Sequence, residues 1–138
     1  MATDMLLHRE TTDRILKSFY EVYNELGDGF LESVYENALF LALKDSGLKV
    51  ERQKDIPVLF RGANVGDFKA DIIVEDRIII ELKAIQHLDK IHEAQVINYL
   101  KATGIEIGLL INFGPRPEFK RIIFNKERNP RKSVAEKG

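Results

Sequence analysis

The amino-acid sequence predicts an α/β protein in which a mixed central sheet is flanked by helices. Apolar residues first recur at helical spacing, over residues 12–26 and 31–46, and then at the alternating spacing of strands. A third helical segment, residues 90–103, separates the early strands from the late ones, which allows two strands to pair in parallel across it. The expected order of elements is α-α-β-β-β-β-α-β-β.

Glycines mark the ends of the predicted helices. Gly27, Gly47 and Gly104 each follow a helical segment, and glycine adopts the left-handed conformation that ends a helix at little cost. Strands are predicted where β-branched and aromatic residues are bounded by turn-forming ones. These segments are residues 50–53, 57–60, 65–74, 78–84, 107–112 and 121–124.

The length and composition are those of a globular protein. With 138 residues, 44% of them hydrophobic, the chain can bury one core. We expect one domain over residues 1–125 and a basic, loosely held tail over residues 126–138. No segment approaches the length of a membrane span and no leader sequence is recognisable, so we expect a cytoplasmic protein without a membrane partner.

The residue types narrow the kinds of site that the chain can form. It contains no cysteine and only three histidines, which excludes disulfides and thiolate metal sites. A bound metal is therefore expected to be a hard cation held by carboxylates, Mg²⁺ or Mn²⁺. Net charge is −1, yet residues 116–138 hold eight Lys or Arg and three Glu. This basic stretch either follows a phosphate backbone or is a solvated tail without a role.

Glu81 and Lys83 are the first candidates for chemistry. They follow three consecutive isoleucines that predict a central strand, and their spacing of two places them on one face. Charges at the end of a buried strand are unfavourable unless they are paired or bind a metal. An isolated Glu-x-Lys pattern favours a plain ion pair, so a functional interpretation depends on its neighbours.

Asp71 is the neighbour that tests this interpretation, because it lies on the preceding predicted strand. A two-residue turn would place Asp71 opposite Ile80, on the face away from Glu81. A three-residue loop over residues 75–77 would place it opposite Glu81, and we predict this connection. The two carboxylates would then share a divalent cation, and Lys83 would orient or deprotonate the water that attacks phosphorus.

Two helices carry further candidates. Glu32 shares a helical row with residues expected to face inward, which are Tyr35, Leu39 and Leu43. It is either a surface or first-turn glutamate or a carboxylate that reaches the metal site. On the third helix, His92, Gln95 and Tyr99 share one face. These residues form either a polar stripe at the edge of the core or a set of donors aimed at the site.

Several motifs together resemble a known family. Gly29-Phe-Leu-Glu32-Ser-Val-Tyr35 is the signature of the GxxExxY proteins, and residues 92–100 and 108–114 are also similar to that family. The resemblance covers residues 9–124. It implies membership of the PD-(D/E)xK nuclease superfamily, with a restriction-endonuclease-like core.

The resemblance also implies roles for particular residues. Asp71, Glu81 and the Leu82 carbonyl would hold Mg²⁺ or Mn²⁺, with Glu32 bound to it directly or through water, and Lys83 would serve the attacking water. Gln95 and Tyr99 resemble the Gln-x-x-x-Tyr motif of RecB-type and lambda-exonuclease-like members, which suggests a preference for DNA ends or single strands. Ala70 stands where a proline is common, and the absence of cysteine excludes the subtype with an iron–sulfur cluster.

The expected function is therefore a metal-dependent nuclease that acts on nucleic acid, with DNA as the substrate. Two alternatives stay open at this point. The first alternative is a nucleic-acid-binding module with little catalysis. The second is an interaction subunit of a larger repair or defence complex. The presence of Lys83 argues against the first alternative, because metal binding alone does not require it. We expect a partner protein or self-association to supply specificity.

Overall fold

The computed structural model describes residues 8–125, which form helices packed on both sides of a five-stranded sheet. The helices are α1 (Arg9–Leu26), α2 (Glu32–Asp45) and α3 (Lys90–Thr103). The strands are β1 (Val50–Phe60), β2 (Ala63–Val74), β3 (Ile78–Lys83), β4 (Ile107–Phe113) and β5 (Pro117–Ile123). No helix among these residues is long and apolar enough to cross a membrane. The tail predicted over residues 126–138 lies outside the described residues.

The strands are ordered β1-β2-β3-β4-β5 across the sheet. All neighbours pair antiparallel except β3 and β4, which pair in parallel with Ile80 opposite Leu109. A parallel pair needs a crossover connection, and α3 provides it. The sheet is therefore mixed, and the predicted α/β fold class is confirmed.

Two apolar clusters hold the helices on opposite faces of the sheet. One cluster joins α1 and α2 to the sheet, and its largest buried side chains include Phe19, Tyr35 and Phe113. The other joins α3 to the sheet through Val96 and Leu100. Because strands β3 and β4 are covered on both faces, their residues form nearly continuous apolar runs, as the sequence indicates.

The predicted element order was wrong at one place. Residues 50–53 and 57–60, predicted as two strands, belong to the single strand β1, so the order is α-α-β-β-β-α-β-β. Backbone pairing with β2 continues through Lys54 and Asp55, whose side chains form exposed ion pairs. These charges interrupt the apolar pattern without interrupting the strand, because on an exposed ribbon the backbone pairing alone defines it.

The β1–β2 hairpin is longer than the strand that it adjoins. Strand β2 pairs with β3 only through residues 72–74, whereas its pairing with β1 extends to the turn at residues 61 and 62. Residues 54–70 therefore project beyond β3 as a two-stranded ribbon, which we call the arm. Ile72 packs in the cluster under α2, but Ala70 packs in the cluster under α3. Neighbours two apart share a face in a regular strand, so the ribbon turns over at Asp71.

The loop between α1 and α2 is held by a buried tyrosine. The Tyr35 hydroxyl donates a hydrogen bond to the Gly27 carbonyl and accepts one from the Phe30 N–H at 3.1 Å. Gly29 lies between them with φ at +107°, a conformation that a residue with a Cβ avoids. The glycine and the tyrosine of the Gly-x-x-Glu-x-x-Tyr motif therefore shape the loop that leads into α2.

Replacing Tyr35 with phenylalanine should destabilise the protein, because the Gly27 carbonyl and the Phe30 N–H lose their common partner. We expect a decrease of about 1–3 kcal/mol in the free energy of unfolding, measured by urea denaturation. Tyr20→Phe is the matched control, since the Tyr20 hydroxyl makes no hydrogen bond within residues 8–125. Equal stability of the two variants would contradict the role assigned to Tyr35.

Candidate metal centre

The connection between β2 and β3 decides which side chains meet at the site. Val74 pairs with Ile78, so residues 75–77 form a three-residue loop, and the prediction of this connection is confirmed. The Arg77 N–H donates to the Val74 carbonyl at 2.9 Å. Glu75 and Asp76 both adopt positive φ, near +55°, which the sequence alone does not indicate.

This register places Asp71 next to Glu81. Ile72 pairs with Ile80 as the last pair of this ladder, so the next residues along the two strands, Asp71 and Glu81, come to lie beside each other. The Leu82 N–H donates a hydrogen bond of 2.9 Å to Asp71 Oδ2, which anchors the aspartate to the backbone of β3. The two carboxylates therefore sit side by side where the arm leaves the sheet.

Lys83 lies beside this pair of carboxylates. Its Nζ is 3.8 Å from Glu81 Oε2, and the two side chains are 21% and 8% exposed. This distance permits electrostatic attraction but is longer than a direct hydrogen bond. The lysine is thus the cation nearest to Glu81 within a partly buried site, as predicted from the Glu-x-Lys spacing.

The charged form of the Glu81 side chain is unfavourable in this environment. Burial, followed by the negative charges of Asp71 and Glu32, raises its pKa from 4.5 to about 8 against the opposing effect of Lys83. Its Oε1 atom is buried and has no hydrogen-bond partner. A buried carboxylate oxygen without a donor is unfavourable, and a divalent cation would satisfy both the oxygen and the crowded charges.

Glu32 approaches the same region from α2. It is the first residue of the helix and is exposed, whereas Tyr35, Leu39 and Leu43 of the same row are buried. Partial burial raises the pKa of Glu32, and the charge of Asp71 raises it further, while Lys83 acts in the opposite direction. Glu32 is therefore electrostatically coupled to the centre, but it is not enclosed in it.

Gln53 and Glu36 are two neighbours that the sequence did not reveal. Gln53 Nε2 lies 3.0 Å from both carboxylate oxygens of Glu36 and 3.5 Å from Asp71 Oδ1. Burial raises the pKa of Glu36, although this hydrogen bond lowers it. The offset of four from Glu32 could have indicated Glu36, but the positive φ of Gln53 depends on the twist of the ribbon.

Helix α3 contributes Tyr99 and Gln95, whose side chains hydrogen-bond to each other. Burial raises the pKa of Tyr99 to about 12, and the charges of Glu81 and Asp71 contribute. The helix can lie this close because Gly108 faces it: an added Cβ there would lie 2.5 Å from Val96. His92 has a different role from that of Gln95 and Tyr99, since its Nδ1 accepts the Asp89 N–H at 3.0 Å and completes the helix cap.

The chain that leaves β3 is held in place by a buried asparagine. Asn112 lies opposite Lys83 in the parallel register, and its side chain bonds to both the N–H and the carbonyl of Ile85 at 2.9 Å. Glu118 accepts hydrogen bonds from Asn112 and from the Leu88 N–H, each at 3.1 Å. These contacts fix the end of the strand that carries the site, and the sequence did not predict them.

The donor set fits a hard divalent cation with a small number of protein ligands. Within residues 8–125, no three Asp, Glu or His side chains are grouped so as to hold one ion by themselves. Asp71 and Glu81 supply carboxylate oxygens, the ligands that Mg²⁺ and Mn²⁺ prefer. A metal bound here would complete its coordination with a backbone carbonyl and water, as Mg²⁺ commonly does.

The fold and the site together define a restriction-endonuclease-like α/β protein. Residues 9–122 match the PD-(D/E)XK nuclease superfamily, and the chain belongs to that superfamily. The crystal structure of SSO0001 has the same fold, with a TM-score of 0.53 and 21% sequence identity over 88% of this chain. The chain corresponds to 62% of the length of SSO0001. No curated protein is significantly similar to it in sequence.

The raised pKa of Glu81 predicts how the metal-free protein responds to pH. Between pH 4.5 and about pH 8, the folded chain holds a proton on Glu81 that the unfolded chain has lost, because the pKa of Glu81 is about 8 in the folded chain. The free energy of unfolding therefore falls as pH rises through this range. The slope reaches up to about 1.4 kcal/mol per pH unit. Glu81→Gln should flatten this dependence and stabilise the metal-free protein at pH 8, as measured by urea denaturation in EDTA.

Glu51→Gln is the control, because Glu51 is a half-exposed carboxylate in an ion pair outside the site. It should leave the slope between pH 5 and pH 8 unchanged. A slope that persists in Glu81→Gln would show that another group dominates the pH dependence of stability.

Proposed function

We propose that the protein is a divalent-metal-dependent nuclease that hydrolyses phosphodiester bonds in DNA. The observation that carries the proposal is the pair Asp71 and Glu81, held face to face with an unpartnered buried oxygen and with Lys83 alongside. Membership of the PD-(D/E)XK nuclease superfamily supports nuclease chemistry. DNA as the substrate, Mg²⁺ or Mn²⁺ as the ion and the cytoplasm as the location are parts of this proposal.

The metal ligands in this proposal are Asp71, Glu81 and the Leu82 carbonyl, with Glu32 joining directly or through water. The exposure of Glu32 supports contact through water. A divalent cation at this position stabilises negative charge as it develops on the phosphoryl oxygens. Binding of the ion also requires Glu81 to lose the proton that its raised pKa retains.

Lys83 is assigned to the attacking water. Its Nζ is close enough to Glu81 to be held by attraction, yet it keeps hydrogen-bonding capacity for a water molecule. From that position the lysine orients the water for attack in line with the leaving oxygen, or takes part in removing its proton. A positioned general base typically contributes about 10²–10⁴ to the rate.

Gln95 and Tyr99 are assigned to orienting the site and the scissile phosphate. The pKa of about 12 keeps the Tyr99 hydroxyl protonated at neutral pH, so that it can donate a hydrogen bond. Its hydrogen bond to Gln95 fixes its direction. Within the superfamily, we place the chain among the GxxExxY proteins on the motif over residues 29–35.

A second candidate function is a nucleic-acid-binding module with little catalysis. The exposure of Glu32 favours this candidate, because it leaves Asp71 and Glu81 as the two carboxylates held within the centre. A site with two carboxylates binds Mg²⁺ weakly unless a substrate phosphate adds ligands. Metal binding and cleavage are therefore tested separately.

Metal binding should release protons at neutral pH. Titration of the protein with Mn²⁺ by calorimetry at pH 7, in buffers of different ionisation enthalpy, should reveal release of about one proton per bound ion. At pH 9 the release should disappear, because Glu81 is already ionised. Asp71→Asn should weaken binding, whereas Glu51→Gln should not. Binding without proton release at pH 7 would place the ion at other residues.

Cleavage should depend on the same side chains. We expect single-stranded or nicked DNA to be cut with Mg²⁺ or Mn²⁺, and Glu81→Ala to abolish cutting. Lys83→Ala should lower kcat by about 10²–10⁴ while Mn²⁺ affinity is retained. Lys120→Ala is the matched control, since Lys120 also follows a glutamate at a spacing of two but lies 55% exposed on β5.

Each outcome of the cleavage assay has a meaning. Cleavage that survives in both Glu81→Ala and Lys83→Ala would refute the assigned site. Salt-sensitive DNA binding without cleavage in either metal would refute nuclease activity and support the binding module. Self-association without DNA affinity would instead support an interaction subunit.

A further inference from the structure

Gln53 has a strained backbone within strand β1. Its φ is +51°, and between residues 8 and 125 it is the one non-glycine residue inside a strand with positive φ. The other non-glycine residues of positive φ lie outside the helices and strands. A residue with a Cβ is held in this conformation only where its surroundings impose it. The contacts of the Gln53 side chain indicate what the conformation achieves.

The positive φ turns the Gln53 side chain toward helix α2. Arg52 and Gln53 would point to opposite faces of a regular strand. Instead, both side chains reach α2, where Arg52 hydrogen-bonds to Asn37 and Gln53 hydrogen-bonds to Glu36. Gln53 Nε2 lies 3.0 Å from each of the two carboxylate oxygens of Glu36. The strained conformation therefore places the amide against a half-buried carboxylate of the helix.

The same amide faces Asp71. The register of β1 against β2 places Gln53 and Asp71 opposite each other on the two strands. Gln53 Nε2 is 3.5 Å from Asp71 Oδ1, at the outer limit of a hydrogen bond. The Leu82 N–H donates to the other oxygen, Oδ2, at 2.9 Å. The Asp71 carboxylate thus lies between two donors, one from each neighbouring strand.

The Gln53 amide joins two carboxylates without adding charge to the centre. Its two N–H hydrogens allow it to donate to Glu36 and to Asp71 at the same time. A lysine or arginine at this position could also bridge the carboxylates, but its positive charge would repel a divalent cation. The neutral amide therefore leaves the negative charge of Asp71 available to a metal ion.

We propose that Gln53 is a positioning residue of the metal centre and that Glu36 holds it in this role. The inference rests on the proposed function, because it takes Asp71 as a ligand of the cation. The Gln53 amide, held by Glu36, limits rotation of the Asp71 carboxylate and orients it before the cation binds. Loss of a hydrogen bond that orients a metal ligand typically lowers metal affinity about 10- to 100-fold.

The test measures the affinity of the folded protein for Mn²⁺ by calorimetry. Gln53→Met keeps the length of the side chain and removes both N–H groups, whereas Gln53→Gly also relieves the strain of positive φ. Gln86→Met is the matched control, because Gln86 is exposed and makes no hydrogen bond within residues 8–125. Urea denaturation confirms that each variant is folded.

Gln53→Met and Gln53→Gly should each weaken Mn²⁺ binding about tenfold, and Gln86→Met should bind as the wild type does. The glycine variant separates the amide from the backbone, since it accepts the conformation at residue 53 but has no donor. If Gln53→Gly kept the affinity of the wild type, the backbone conformation alone would matter and the proposal would be overturned.

Variants of Glu36 distinguish an acceptor for Gln53 from a metal ligand. Glu36→Gln keeps an oxygen that accepts the Gln53 amide, so it should keep most of the Mn²⁺ affinity. Glu36→Ala should lose about tenfold, and adding Gln53→Met to it should cause no further loss, because both changes break the same contact. Equal losses in Glu36→Gln and Glu36→Ala, or additive losses in the double variant, would refute the assigned roles.

Cleavage of DNA provides a second readout. In Gln53→Met, the Mg²⁺ concentration for half-maximal cutting should rise about tenfold, while kcat at saturating Mg²⁺ stays near the value of the wild type. A lower kcat at saturating Mg²⁺ with an unchanged metal dependence would place Gln53 in the chemical step and overturn the positioning role.

Failure of the proposed function would look different. If the Gln53 variants lose Mn²⁺ affinity as expected but the wild type cuts no DNA, the positioning assignment stands and the nuclease assignment fails. If the wild type cuts DNA and Gln53→Met binds Mn²⁺ and cuts as the wild type does, the nuclease assignment stands and the positioning assignment fails. A wild type that binds no Mn²⁺ would overturn both.

Discussion

Electrostatic repulsion between Asp71 and Glu81 is the constraint around which the site is organised. Pairing of β3 with β4 fixes the backbone of Glu81, and the Leu82 N–H anchors the Asp71 carboxylate at 2.9 Å, so the two carboxylates are held close together. Burial removes the solvent that would screen them. The charged form of Glu81 is therefore disfavoured without a bound cation, and the pKa of Glu81 is about 8. Because the fold holds the two carboxylates close together, the site favours binding of a proton or a metal ion.

Contacts far from the carboxylates help to hold the elements of the site in this crowded arrangement. Asn112 acts as a further strand partner for Ile85 and so prevents the end of β3 from fraying. Gly108 lets α3 approach the sheet, which brings Tyr99 to the centre. On the other side, Gly29 and Tyr35 shape the loop that begins α2 and thereby set where Glu32 stands. Two of the three residues that define the Gly-x-x-Glu-x-x-Tyr motif are thus structural, and only Glu32 is coupled to the site.

The sequence predicted the parts of the protein that depend on local patterns. The isoleucines before Glu81 indicated a buried strand, and the requirement that Asp71 face Glu81 indicated a three-residue loop, as observed. The split of β1 was predicted wrongly, because charged residues on an exposed ribbon mimic a break in the apolar pattern. Gln53 and Asn112 could not be predicted, since their roles depend on contacts with residues 18 and 27 positions away in the chain. The roles of the site residues themselves stay predictions.

The turnover of the ribbon at Asp71 links the candidate centre to the arm beside it. In a regular strand Phe68 would share a face with Ile72 and Val74, which pack on the side of α1 and α2. Its ring would then point away from α3. Because Ala70 and Phe68 instead pack in the cluster under α3, the arm is directed along the helix and Phe68 meets Tyr99. The Tyr99 ring then lies against the arm, and the charges of Glu81 and Asp71 act on its hydroxyl. The Phe68–Tyr99 stack therefore joins the arm to the side chain of α3 that lies under the influence of the carboxylates, so one contact relates the position of the arm to the centre.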